Sequence, residues 1–122
     1  MDAAALIDRF LQLNEDRKLD EVQAMLAPGC KIEFPGGQRF ANMAEMVENA
    51  KSRYTWVKKH RERYFVGVNG DQQTVTSVGT LYGVNLAGEE FSGVRYVDVF
   101  VIEDGLITEQ MVWNDFCESG AL

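Results

Sequence analysis

The chain has 122 residues, 46% of them hydrophobic and 25% charged, and its formal net charge is −7. This length predicts one domain over residues 1–122, because it buries a single core and no linker or repeat divides the sequence. The acidic balance disfavours binding to nucleic acid or to an anionic membrane, since both depend on Lys and Arg. A basic cluster over residues 51–63 is the exception, and a solvated surface is its ordinary interpretation.

Helical periodicity dominates the first fifty residues. An amphipathic helix is predicted over residues 3–14, and a second, shorter helix is expected to follow Asp20 and to end at Pro28-Gly29. A short strand is predicted next, over residues 30–34. The apolar residues that define the two helices are Leu6, Ile7, Phe10, Leu13, Val22, Met25 and Leu26.

A third helix is predicted to begin at Asn42, because Asn42 and Glu45 have the spacing of a capping box. Its apolar stripe recurs at intervals of three and four residues and extends to Tyr54 and Val57. His60, the only histidine, is then expected at the turn from this helix into the first long strand. Exposure is the ordinary interpretation of a histidine beside Lys and Arg.

Beyond His60 the periodicity becomes that of strands. Four strands are predicted, separated by hairpin turns, over residues 61–69, 73–86, 91–103 and 106–116. Helices followed by a meander of strands predict the α+β class. We expect a curved antiparallel sheet with three N-terminal helices packed on one of its faces.

The third of these strands contains an acid, Asp98, within an apolar run. Strand alternation places Asp98 on one face, together with Val94, Tyr96, Phe100 and Ile102. The opposite face is also apolar, and in the last strand Ile107 is assigned to it. Because the helices cover only one face, a second apolar face predicts a homodimer through the sheet. The residues predicted to contact the second subunit are Val97, Val99, Met111 and Trp113.

The two cysteines, Cys30 and Cys117, fit neither a disulfide framework nor a metal site, and this usage indicates a reducing compartment such as the cytoplasm. The N-terminal segment lacks the basic region of a signal peptide, and no apolar run reaches the ~18 residues that a membrane span needs. No cofactor and no metal are predicted, because the sequence contains no cluster of metal ligands and no Gly-rich turn between a strand and a helix.

The order of elements, with the segments RFLQLNEDRKLD, KIEFPGG and VFVIEDGLI, resembles the nuclear transport factor 2-like superfamily and, within it, the SnoaL-like domains. The resemblance covers essentially the whole chain. It implies a cone-shaped sheet that encloses an apolar pocket for a small apolar molecule, commonly in a dimer. It does not specify an activity, because the same cone hosts isomerases, dehydratases, cyclases, epoxide hydrolases and binding domains.

The catalytic residues of these relatives match this sequence only in part. The ketosteroid isomerase branch uses a tyrosine on the first helix, a general-base aspartate on the first strand and an aspartic acid on a late strand. These positions correspond here to Phe10, Phe34 and Asp98. The proton-moving aspartate of the SnoaL-type cyclases corresponds to Val112. The resemblance therefore carries over one functional residue, Asp98.

Asp98 is the predicted catalytic residue, and two interpretations of it stay open. Either apolar neighbours raise its pKa, so that it donates a hydrogen bond to a ligand carbonyl or moves a proton, or it accepts hydrogen bonds from Tyr54, Tyr82 or Asn114 and only stabilises the core. The residues predicted to bind substrate are Tyr54, Tyr82, Tyr96, Asn114, Phe10, Phe34, Phe100 and Val112.

Two functions follow from these interpretations. One is a cofactor-independent lyase, isomerase or cyclase that acts on an apolar carbonyl compound. The other is a ligand-binding or homodimerising module that kept the fold without catalytic machinery.

Overall fold

The computed structural model describes residues 2–122, which form four helices and one six-stranded sheet. The helices are α1 (Ala3–Glu15), α2 (Leu19–Ala24), α3 (Met43–Lys51) and α4 (Phe116–Ser119). The strands are β1 (Leu26–Phe34), β2 (Gln38–Phe40), β3 (Tyr54–Asn69), β4 (Gln72–Asn85), β5 (Glu90–Glu103) and β6 (Leu106–Asn114). A short 3-10 turn over Pro35–Gly37 joins β1 to β2. The predicted α+β class is confirmed.

The predicted starts of α1 and α3 are explained by their caps. Asp2 Oδ1 accepts a hydrogen bond from the Ala5 N–H at 2.7 Å, and Asn42 Oδ1 accepts one from the Glu45 N–H at 2.9 Å. Glu45 Oε2 in turn accepts from the Ala41 N–H at 2.8 Å, so the carboxylate reaches one residue before the N-cap. Within residues 2–122, no helix has both the length and the apolar character needed to cross a bilayer.

The predicted C-terminal part of the third helix is wrong. Helix α3 ends at Lys51, and residues 54–57 already belong to β3, where Tyr54 pairs with Asn85 and Val57 with Gly83. The run Tyr-Thr-Trp-Val is aromatic and β-branched, which favours a strand over a helix. A bulge between Tyr54 and Trp56 also lets both Tyr54 and Val57 face inward, and this imitates helical spacing. His60 consequently lies within β3 and not at a turn.

Smaller differences occur around α2. Asp20 lies in the first turn of α2 and does not cap it, because the N-cap is Lys18. Leu26 begins β1 and is not part of the helix, so the strand is longer than predicted. The short strand β2 and the helix α4 were not predicted, and the last strand ends at Asn114.

The sheet has the strand order β2-β1-β6-β5-β4-β3, which leaves β2 and β3 at its two edges, and the sheet is therefore unclosed. Its pairs are antiparallel except for β1 with β6, which run parallel. The core lies between the inner face and the helices, where Phe10 packs edge-to-face on Phe100 with ring centroids 5.6 Å apart.

The predicted alternation of β5 is confirmed, because its five inward residues, from Val94 to Ile102, are at most 3% exposed. The placement of Ile107 on the outer face is wrong. A register shift pairs Val101 with Glu109 but Ile102 with Ile107, which turns the Ile107 side chain inward, where it is fully buried.

Two glycines of β4 let the bulged backbone of β3 approach closely. A Cβ built at Gly79 would lie 1.9 Å from the His60 carbonyl oxygen, and one built at Gly83 would lie 2.2 Å from the Trp56 carbonyl oxygen. Any side chain at either position would push β3 away from β4. The part of β3 between these contacts carries Lys59, so the two glycines help to set the position of that residue.

We expect Gly83→Ala to lower the free energy of unfolding by about 3 kcal/mol, because the new methyl group meets rigid backbone. Gly67→Ala is the matched control in β3. Its Cβ would meet only the Thr74 Oγ1 atom, which can rotate away. Urea unfolding of both variants measures the difference, and equal losses would contradict this role of Gly83.

Candidate active site around Asp98 and Lys59

A cavity of about 90 Å³ lies between the inner face of the sheet and the helices. Its wall combines apolar side chains with charged and amide groups. The apolar residues include Leu11, Phe34, Met46, Val47, Val57, Leu81, Val112 and Phe116, and the polar ones include Asn14, Glu15, Arg17, Asn49, Arg53, Lys59, Asp98, Gln110 and Asn114. The wall of this cavity is therefore more polar than the apolar pocket that the resemblance implied.

Asp98 lies in this wall and is fully buried. Its Oδ2 atom is 3.0 Å from the Lys59 Nζ atom, which makes an ion pair. Apart from Lys59, neither carboxylate oxygen has a polar partner within residues 2–122. A buried carboxylate with one cation as its only partner has acceptor capacity left for a ligand.

Lys59 is positioned by β3 and by α1. Its backbone N–H donates to Glu15 Oε1 at 2.8 Å, and two residues further on Arg61 pairs with Asp8 of the same helix at 3.2 Å. The Lys59 side chain keeps 22% of its exposure, and its Nζ atom lies 5.0 Å from the centroid of the Tyr96 ring. The ammonium therefore connects the buried acid with the more open part of the cavity.

Burial and charge act in opposite directions on the pair. Burial raises the pKa of Asp98 above its ordinary value of 3.8, and the nearby Lys59 charge offsets only part of this effect. Burial also disfavours the Lys59 ammonium, but attraction to Asp98 outweighs it and raises the pKa of Lys59. Because folding favours protonated Asp98, its contribution lowers the free energy of unfolding as the pH rises from 3.8 to the raised pKa.

Further polar atoms surround the pair. The Tyr96 hydroxyl lies 2.9 Å from Ser77 Oγ, and both side chains are buried. Burial is the largest cause of the raised pKa of Tyr96. Asn14 Oδ1 and Gln110 Oε1 are buried at the cavity and have no hydrogen-bond partner among the described residues. The site therefore offers several acceptor oxygens near the Lys59 ammonium.

Several predicted site residues come together at this cavity: Asp98, Tyr54, Tyr96, Asn114, Phe34 and Val112. Phe10 and Phe100 do not line it, because both are fully buried in the packed core. Tyr82 lies on the other face of the sheet, where its ring stacks on His60 with centroids 4.2 Å apart and contacts Trp56. The inward residues of β4 have odd numbers, so Tyr82 faces outward, where it pairs with Lys58 of β3.

The hydrogen bonds predicted to reach Asp98 from Tyr54, Tyr82 or Asn114 are absent from the described residues, where Lys59 is its partner. Asn114 Oδ1 instead accepts from the Phe116 N–H at 3.3 Å. The sequence contained a signal for Lys59. Strand alternation through Val57, Lys59 and Arg61 points all three inward. The predicted helix reaches Val57 and the predicted strand begins at residue 61, so Lys59 was not predicted to face the core.

The sequence of residues 7–110 matches the family described as SnoaL-like domain. The chain belongs to the SnoaL-like domain family. Among curated proteins, none matches its sequence. The family membership confirms the resemblance, and it leaves the activity of this SnoaL-like domain open.

Solved structures share the fold of this SnoaL-like domain. A nuclear transport factor 2-like protein of unknown function from Burkholderia pseudomallei has a TM-score of 0.81 and 15% identity, covering 95% of this chain and 92% of its own. TerC, co-crystallised with polyporic acid, has a TM-score of 0.77 and 14% identity over 96% and 94% of the two chains. A candidate SnoaL-like polyketide cyclase from Jannaschia sp. CCS1 has a TM-score of 0.71 and 18% identity over 96% and 88%.

Lys59→Met removes the cation that offsets the burial of Asp98. We expect the free energy of unfolding to fall by about 3 kcal/mol near neutral pH. The loss should shrink as the pH is lowered, because Asp98 then binds a proton in the folded state. Urea unfolding at about pH 7 and about pH 5 measures both effects.

Lys58→Met is the matched control, because the Lys58 ammonium lies 5.9 Å from the Trp56 centroid. Adding Asp98→Asn to Lys59→Met should recover part of the lost stability. A loss that is the same at both pH values, without recovery in the double variant, would contradict the ion pair.

Proposed function

We propose that this SnoaL-like domain binds a small carbonyl compound and moves a proton on it without a cofactor, as an isomerase, cyclase or lyase. The observation that carries the proposal is the ion pair between Asp98 and Lys59 in the wall of the cavity. A base with a raised pKa and a cation 3.0 Å away are the two groups that enolisation of a carbonyl compound needs.

In the proposed step, the Asp98 carboxylate removes a proton from the carbon next to the substrate carbonyl. The electron pair of the broken C–H bond forms a C=C bond, and negative charge develops on the carbonyl oxygen. The Lys59 ammonium stabilises that oxygen. In an isomerase, protonated Asp98 then returns the proton to another carbon. In a cyclase, the enolate attacks a second carbonyl carbon of the same molecule, the π pair of that C=O bond moves onto its oxygen, and protonated Asp98 gives this oxygen the proton.

A second function is supported by a different observation. The positions that hold the tyrosine and the general base in the ketosteroid isomerase branch hold Phe10 and Phe34 here, and Lys59 already neutralises Asp98. A domain that binds its ligand without converting it would need the cavity and its polar groups, but neither that tyrosine nor that general base. The two functions differ in one property, which is proton transfer to or from a bound ketone.

Cyclohexanone in heavy water tests proton transfer, because exchange of the hydrogens beside its carbonyl is visible by NMR. We expect the domain to accelerate this exchange, and Asp98→Asn to reduce the acceleration at least about a hundredfold. Asp71→Asn, in the exposed turn before β4, is the control and should leave it unchanged. Exchange that is no faster with the domain than without it, despite shifts of cavity resonances, would support the binding function instead.

The outer face of the sheet supports the predicted homodimer, which we propose as the form in which the domain works. Val97 pairs with Trp113 and Val99 with Met111, and Val97 and Trp113 are 37% and 52% exposed. At the β1 and β2 edge of this face, acids and bases alternate, because Glu33 makes an ion pair with Arg39 at 3.2 Å and Glu109 lies in register with Lys31. A two-fold contact would therefore depend on the apolar centre of the face.

Sedimentation velocity at micromolar concentration is expected to show a dimer, and Val97→Glu is expected to convert it into a monomer, because it buries a charge at the interface. Val68→Glu is the control, since Val68 is 76% exposed and lies near the end of β3, away from this patch. A monomer of the unchanged domain would contradict the proposal.

A further inference from the structure

The charges that line the cavity do not cancel, and this property bears on the chemistry of the ligand. Glu15 accepts from the Lys59 backbone and lies 3.8 Å from Arg61, and Asp98 is paired with Lys59. Both acids of the cavity wall therefore have basic partners. Arg17 and Arg53 also line the cavity, and neither has an ion-pair partner within residues 2–122. A chain with a net charge of −7 thus has two guanidinium groups without ion-pair partners in the wall of one cavity.

The two arginines are each held by a local contact. Arg17 follows α1, and its Nη1 atom donates to the Asn14 carbonyl oxygen at 3.0 Å. Its φ of 55° is a conformation that a glycine or asparagine would adopt more readily, yet the position carries an arginine. The Arg53 guanidinium lies 5.9 Å from the centroid of the Phe116 ring, which itself lines the cavity. Planar guanidinium groups are well suited to bind a carboxylate.

The size of the cavity brings a ligand to these arginines. Its volume of about 90 Å³ is far below the roughly 300 to 1,000 Å³ of pockets that enclose larger ligands. A ligand with more than a few non-hydrogen atoms therefore extends to the solvent-exposed part of the wall, where Arg17 is exposed. The cavity wall also presents buried acceptor oxygens, because Gln110 Oε1 and Asn14 Oδ1 have no hydrogen-bond partner within residues 2–122 and Asp98 has only Lys59. These acceptors fit a hydroxyl or enol group that donates hydrogen bonds.

We infer that the ligand is an amphipathic carboxylate, with a hydroxyl or enol that donates to Asp98 and Gln110, a short apolar body, and a carboxylate that binds Arg17 and Arg53. The inference rests on the proposed function in one respect, because it uses the same cavity. It adds the chemical class of the ligand and assigns a specificity role to two residues that take no part in proton transfer.

Three small probes test the inference by NMR titration of the backbone amides. Para-hydroxybenzoate carries both polar groups, phenol lacks the carboxylate, and benzoate lacks the hydroxyl. We expect para-hydroxybenzoate to bind about tenfold more tightly than phenol at low ionic strength, since a hydrogen bond to a charged group contributes about that much. Added salt should weaken para-hydroxybenzoate and leave phenol nearly unchanged.

The double variant Arg17→Gln/Arg53→Gln should lose the difference between para-hydroxybenzoate and phenol while binding phenol as before. Arg9→Gln is the matched control, because Arg9 is exposed on α1 and does not line the cavity. Phenol that binds at the cavity with no gain from the carboxylate, or a gain that survives in the double variant, would overturn the inference and leave the proposed function standing. Cavity resonances that respond to none of the three probes would overturn the inference alone, because the exchange experiment with cyclohexanone tests the proposed function separately.

Discussion

A carboxylate at the centre of an apolar sheet needs a cation beside it, and the arrangement of this SnoaL-like domain depends on how Lys59 supplies that cation to Asp98. The ammonium lies 3.0 Å from a fully buried oxygen, and it comes from the edge strand β3. Glu15 holds the Lys59 backbone from α1, while Gly79 and Gly83 allow the bulged part of β3 to lie against β4. Backbone geometry, helix docking and electrostatics therefore meet at one pair of side chains.

Burying the ion pair carries a large desolvation cost. Apolar residues of the same volume are often as stable as a buried ion pair or more stable, whereas breaking such a pair is strongly destabilising. The rest of the inner face is packed with apolar side chains, such as Phe10 on Phe100 and Ile107 opposite Ile102. The polar atoms without partners gather instead at the cavity. This division between a dry core and a polar cavity wall is the reason to interpret Asp98 and Lys59 as functional.

Some features of the fold and of the site could be predicted from the sequence, and others could not. Period-two alternation placed Asp98 inward, and the spacing of Asn42 and Glu45 located the start of α3, because both features depend only on local geometry. Lys59, Tyr82 and Ile107 depend on bulges and on strand register, which one extra residue reverses. The cation that pairs with Asp98 comes from a strand two positions away in the sheet, so a local pattern did not identify it.

The central claim is that Asp98 is a buried, ionisable acid whose basicity is raised by its surroundings and moderated by Lys59. Titration of the Asp98 carboxyl carbon by NMR tests this claim most directly. The pKa of Asp98 should lie above the ordinary value of 3.8 in the folded domain and should rise further in Lys59→Met. A pKa at or below 3.8 in the unchanged domain would contradict the claim and leave Asp98 as an ordinary structural carboxylate.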